Sequence, residues 1–140
     1  MTDLEQRAAV NAAAFRGVLD ALARGDVEAV VRLHTEDVTI EYPFAPPGFP
    51  ALVHGCDELR AFEQAIADRV ATCAFHDLRI RAFAHEDGLV AEYRGEVTLT
   101  NGRPYANTYC AVVQCRDGLL HHVRKLYDPL VIGAAGLEAS

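Results

Sequence analysis

The chain has 140 residues, 51% hydrophobic and 24% charged, with a formal net charge of −7, which fits one domain able to bury a sizeable core. Its acidic residues are scattered and no Lys/Arg cluster stands out, so a nucleic-acid backbone is not an expected partner. No apolar stretch is long enough to span a membrane and the N-terminus lacks a signal-peptide pattern, so a cytoplasmic protein without membrane partners is expected.

From Asp3 to Arg24 apolar residues recur at helical spacing (Leu4, Ala8, Ala14, Phe15, Val18, Leu19, Leu22), and Gly25 stops the helix. Asp26 suits the N-cap of a second, shorter helix carrying Val27, Val30, Val31 and Leu33. The stretch Thr35 to Tyr42 alternates β-branched and polar residues and reads as a first strand.

The run from Glu41 to Glu58, EYPFAPPGFPALVHGCDE, holds four of the six prolines. Proline fixes φ and has no amide hydrogen to donate, so the run is neither helix interior nor central strand. A stiff aromatic loop of this length suits a lid or a binding loop, or a rigid cover over one end of the core. Gly55, Asp57 and Glu58 then open a third helix with Leu59, Phe62, Ile66 and Val70 as its inner stripe.

After Thr72 the pattern is strand-like. Turns are expected at Glu86-Asp87-Gly88, Asn101-Gly102 and Arg116-Asp117-Gly118, and the last strand stops at Pro129. Gly95, inside the second long strand, is the expected place of a bend or bulge. The expected architecture is one α+β domain over residues 1–132, in which a strongly curved antiparallel sheet wraps a long helix like a cone, followed by a flexible tail over 133–140. A space between sheet and helices is a common place for a small ligand. Cysteines 56, 73, 110 and 115 form no C-x-x-C pair, so neither a metal nor a redox centre is expected, and no cofactor.

The order of elements, with L-x-x-G-D-x-E-A-V-V-x-L from Leu22 to Leu33, EDVTIEYPFAP, HGCDELRAF, YANTY and RDGLLHHVRKLYDP, resembles the nuclear-transport-factor-2-like superfamily and, within it, the SnoaL-like group. The final third is most similar to phenazine-biosynthesis A/B-type proteins. The resemblance implies a cone-shaped α+β barrel with a deep pocket, dimerising through the outer sheet face. It also implies a hydrophobic or cyclic small-molecule ligand, in a fold shared by polyketide cyclases, a steroid isomerase, epoxide hydrolases and non-catalytic binding modules. Fold alone does not choose among these.

In the steroid-isomerase branch an aspartate precedes the strand-ending proline, and here that position is Tyr42. Its partner groups would fall near Val18 and near Cys110 or Ala111, so that mechanism is not expected. His54, before the third helix, can exchange a proton near neutral pH, or can simply hydrogen-bond at a helix N-terminus. Lys125 stands where relatives carry a carboxylate. Facing the cavity it would bind a carboxylate or an enolate, or form a Schiff base if burial depresses its pKa; otherwise it faces solvent. Asp128 is a further carboxylate, or an ion-pair partner for Lys125.

The expected acid–base set is therefore His54, Tyr42, Asp128 and Lys125. The expected ligand walls are Phe15, Phe44, Phe62, Asn107, Tyr109 and Tyr127. Together they suit cofactor-free cyclisation or isomerisation of a polyketide-like, terpenoid or other cyclic intermediate. A non-catalytic binding or assembly module is the alternative.

Overall fold

Helix α1 (Asp3–Arg24) starts at a capping box: the Glu5 amide donates to Thr2 Oγ1 at 3.1 Å, and the Thr2 amide donates to Glu5 Oε2 at 3.2 Å. It ends at Gly25, whose φ of 68° lets its amide turn back onto the carbonyls of Ala21 and Leu22. Asp26 then caps α2 (Val27–Arg32) by accepting the Ala29 amide at 3.1 Å. The structure, a computed structural model, describes residues 2–135.

Six strands follow: β1 (His34–Glu41), β2 (Leu52–His54), β3 (Val70–Ala82), β4 (Gly88–Leu99), β5 (Pro104–Arg116) and β6 (Leu119–Tyr127). Helix α3 (Gly55–Ala67) lies between β2 and β3, and α4 (Pro129–Ala134) follows β6. They form one curved, unclosed sheet in the order β2-β1-β6-β5-β4-β3. All neighbours are antiparallel except β1 and β6.

The expected α+β cone is therefore present, with three differences of detail. The proline-rich run contains a strand, β2, because its residues after Pro50 have free amides. Tyr42 donates to the Ala51 carbonyl at 2.8 Å, and the register continues Glu41↔Leu52 and Thr39↔His54. Second, α3 stops at Ala67, so Val70 opens β3 instead of ending the helical stripe. Third, the segment after Pro129 forms a short helix through Ala134, so the first residues expected in the tail are helical, while 136–140 lie outside the described residues.

The irregularity near Gly95 falls on the neighbouring strand. The β3–β4 register shifts between His76 and Arg79, where Asp77 has a φ of 57°. Gly95 itself pairs in register with Phe75 and Asn107. A Cβ there would sit 3.0 Å from Tyr109 Cε2 and 3.3 Å from Phe75 Cε1, so its bare backbone makes room for two rings.

Helix α1 lies across β3, β4 and β6, and α3 across β1. The core is drawn from both layers, with Leu59, Val38, Leu89, Val113 and Leu120 almost wholly buried. Burying side chains of this size contributes about 1.5–3 kcal/mol each. His34 is buried at the start of β1, with its Nδ1 2.7 Å from the Val30 carbonyl. Burial holds its pKa below the usual histidine value.

Candidate functional site

Between the inner sheet face and the helices lies a cavity of about 440 Å³, within the range of small-molecule sites. Val30, Phe62, Ile66, Val97, Leu99 and Ile132 supply much of its apolar wall. Its polar lining includes Glu63, Lys125 and four phenols, Tyr42, Tyr105, Tyr109 and Tyr127. Exposed residues at the ends of α1 and α3 and in the proline loop, including Arg24, Arg69, Gly48 and Pro50, form its mouth.

Glu63 is the residue that sequence reading missed. It lies four positions after Leu59 and next to Phe62, so the helical stripe that turns those side chains inward turns Glu63 inward as well. It is only 9% exposed. Its carboxyl borders the cavity and, among the described residues, makes no hydrogen bond or ion pair, and its oxygens remain open to the cavity space. Burial raises its pKa above the ordinary 4.5, and the positive charge of Lys125 opposes part of that rise.

Lys125 comes from β6, where it pairs with Ala111 while Tyr127 pairs with Tyr109. Alternation places Lys125 and Tyr127 on the cavity face, and Arg124 points away. The ammonium lies 4.9 Å from the centroid of the Tyr109 ring, a cation–π contact. Tyr109 in turn stacks on Tyr93 at 5.1 Å. Burial lowers the Lys125 pKa, but the surrounding Tyr93, Glu63 and Tyr105 outweigh it and hold the group above the usual lysine value. These neighbours favour its ammonium form, which suits a hydrogen bond to a ligand oxygen.

Tyr42 is buried against Phe62 (centroids 5.3 Å) and Tyr127 (6.2 Å). Burial, reinforced by Glu63, raises its pKa well above 10. It can donate a hydrogen bond but cannot act as a base near neutrality.

The structure thus brings Tyr42, Phe62, Tyr109, Lys125 and Tyr127 together around the cavity and places the other expected site residues elsewhere. His54 is exposed on β2, with its Nδ1 3.0 Å from Thr39 Oγ1 and its backbone amide donating to Glu58 at 2.6 Å. Asp128 is exposed and accepts the Leu130 amide at 3.0 Å, at the start of α4. It pairs with that turn and not with Lys125. Phe44 is 53% exposed, whereas Phe15 is buried in the core, 5.7 Å from Tyr93.

Asn107 is a structural pin. It donates to Tyr105 Oη (2.8 Å) and the Asp128 carbonyl (3.0 Å), and accepts the amides of Thr108 (2.9 Å) and Asp128 (3.0 Å).

The remaining histidines lie in surface ion pairs or turns: His76 with Glu96 at 3.4 Å, His122 with Glu41 at 3.1 Å, and His121 with Asp37 at 3.5 Å. Among the described residues no three His, Cys, Asp or Glu side chains are grouped to hold a metal, and the cysteines are free thiols. No described helix is long and apolar enough to cross a membrane.

The sequence profile of the SnoaL-like domain matches residues 15–123. An uncharacterized PhzA/B-like protein of Pseudomonas aeruginosa is 27% identical over 125 residues, covering 87% of this chain and 88% of its own. A crystal structure from Bacillus subtilis, provisionally named an isomerase, superposes with a TM-score of 0.86 at 21% identity over 96% of both chains. A nuclear-transport-factor-2-like protein of Burkholderia xenovorans superposes at 0.73 with 16% identity, over 91% of this chain and 95% of that one. At these identities the two structures speak for the fold.

Proposed function

The chain belongs to the SnoaL-like domain family, and we propose that it is a cofactor-free acid–base enzyme acting on a cyclic, carbonyl-bearing small molecule held in the 440 Å³ cavity. The observation that carries this reading is the buried, unpartnered Glu63 carboxyl bordering the same cavity as the Lys125 ammonium. Burial of such an acid raises its pKa and makes its carboxylate a stronger base.

In the proposed cycle the Glu63 carboxylate removes a proton from a carbon next to the substrate carbonyl. The C–H electron pair forms the enolate C=C bond, and the carbonyl π pair moves onto oxygen. The Lys125 ammonium donates a hydrogen bond to that oxygen, with Tyr109 fixing its position. Where a C=C bond adjoins that carbon the enolate is a dienolate: the oxygen pair re-forms C=O, the double bonds shift by one position, and the far carbon takes the proton back from protonated Glu63, which completes an isomerisation. In a cyclisation the enolate carbon instead attacks a second carbonyl of the same molecule, and the new alkoxide takes the proton from Glu63. Tyr42 and Tyr127 contribute hydroxyl donors and ring surface. His54 and Asp128, outside the lining, have no step in this scheme.

Cyclic ketones incubated with the protein in D2O test the reading directly. Deuterium should enter the carbon next to the carbonyl faster than in buffer, as followed by NMR; a broad panel of mono- and bicyclic ketones with no acceleration would overturn it.

The outer sheet face carries the exposed ion pairs Arg81–Glu92 (3.2 Å) and Arg94–Asp77 (2.7 Å). It is the face on which we place a second copy in a homodimer. Sedimentation equilibrium decides this, and a monomer across the micromolar range would remove it.

A further inference from the structure

The charges around the cavity do not balance. Five carboxyl, guanidinium or ammonium side chains line it: Arg24, Asp26, Glu63, Arg69 and Lys125. Asp26 is committed to capping α2 and lies 3.8 Å from Arg24, so these two offset each other at the rim. Arg24 also sits in the last turn of α1, where a cation complements the helix dipole. Glu63 and Lys125 line the same cavity as one acid and one base, so their charges offset each other within it. That leaves Arg69, at the mouth, as the cation with no counterpart in the lining.

Arg69 follows α3, and its backbone carbonyl accepts the Thr100 amide at 2.9 Å, which fixes its place on the rim. Among the described residues its guanidinium forms no ion pair, as is also true of the exposed arginines 7, 16, 32, 79, 103 and 124; unlike them, Arg69 lines the cavity. An unpaired guanidinium beside an apolar cavity is suited to a planar carboxylate, which it can bind through two parallel hydrogen bonds.

We infer that the ligand is a cyclic carboxylic acid, with its apolar body in the cavity and its carboxylate at the mouth against Arg69. The inference deepens the acid–base reading, which supplies only the position of the reacting carbonyl near Lys125. The carboxylate orients the molecule along the axis from mouth to floor and prevents the reversed pose. The positive rim also concentrates such anions from solution, an effect that weakens with salt.

The test compares 2-naphthylacetate with its methyl ester, binding to the whole protein by titration calorimetry at low and high salt. The acid should bind roughly five- to tenfold more tightly than the ester at low salt. Arg69→Met, which keeps an apolar stem at an exposed site, should bring the two within twofold of each other. Lys125→Met should leave most of the preference in place. Equal affinity for acid and ester in the native protein overturns the inference, as does a preference that survives Arg69→Met. Neither result touches the acid–base reading, which depends on deuterium exchange and Glu63.

Discussion

The Lys125 ammonium lies 4.9 Å from the centroid of the Tyr109 ring, and the same ring stacks on Tyr93 at 5.1 Å. The cation is therefore placed by an aromatic pair on neighbouring strands instead of by a direct carboxylate partner. Its charge remains available to a ligand oxygen. Replacing Lys125 by Met keeps the stem and removes the charge, so the enolate loses its stabilising donor. We expect deuterium exchange to fall by about 10²–10³-fold, with affinity for a neutral cyclic ligand changed far less. A fall below threefold would remove Lys125 from the reaction.

Gly95 controls where that aromatic pair sits. An added methyl would meet Tyr109 Cε2 at 3.0 Å and Phe75 at 3.3 Å. Gly95→Ala should cost about 1–3 kcal/mol by overpacking and displace the Tyr109 ring. Thermal unfolding and near-ultraviolet circular dichroism would report both changes; an unaltered midpoint and spectrum would contradict this account of the glycine.

Asn107 ties the end of β6 to β5 through both its amide atoms. Asn107→Ala leaves the Asp128 backbone groups without their partners and should destabilise the fold by about 1–3 kcal/mol. Hydrogen exchange at Asp128 and Leu130 should quicken more than in the middle of β5. Uniform exchange along both segments would contradict the pinning role.

Glu63 gives stability a pH dependence with a defined sign. Its folded pKa lies above 4.5, so the folded protein holds this proton more tightly than the unfolded chain does. The corresponding stabilisation is complete below the unfolded pKa and is lost as pH rises through the folded one. Relative to Glu63→Gln, the native protein should therefore lose stability as pH rises from 4.5 through the folded pKa, by about 1.4 kcal/mol for each unit of upward shift. Denaturant titrations at several pH values would show it, and a constant difference would contradict it.

The cone and its element order were legible in the sequence because capping residues, turn glycines and two-residue alternation act locally. Gly25, Asp26 and the Asn101-Gly102 hairpin are examples. The parallel β1–β6 pairing and the strand inside the proline run were not, since both depend on partners far along the chain.

Within the site, the inward face of Lys125 and Tyr127 was ambiguous because both faces of β6 mix polar and apolar residues. Glu63 went unnoticed although its spacing from Leu59 and Phe62 puts it on the inner stripe, because a glutamate on an amphipathic helix ordinarily faces water. His54 drew attention by residue type, yet its place on an exposed edge strand separates it from the cavity.

Deuterium exchange into a cyclic ketone, measured side by side for Glu63→Gln and His54→Gln, is the most direct test of the cavity as a proton-transfer site. Glu63→Gln should lower the protein-dependent rate by about 10²-fold or more while His54→Gln leaves it within twofold. The reverse pattern, with full exchange in Glu63→Gln and its loss in a folded His54→Gln protein, would contradict the account.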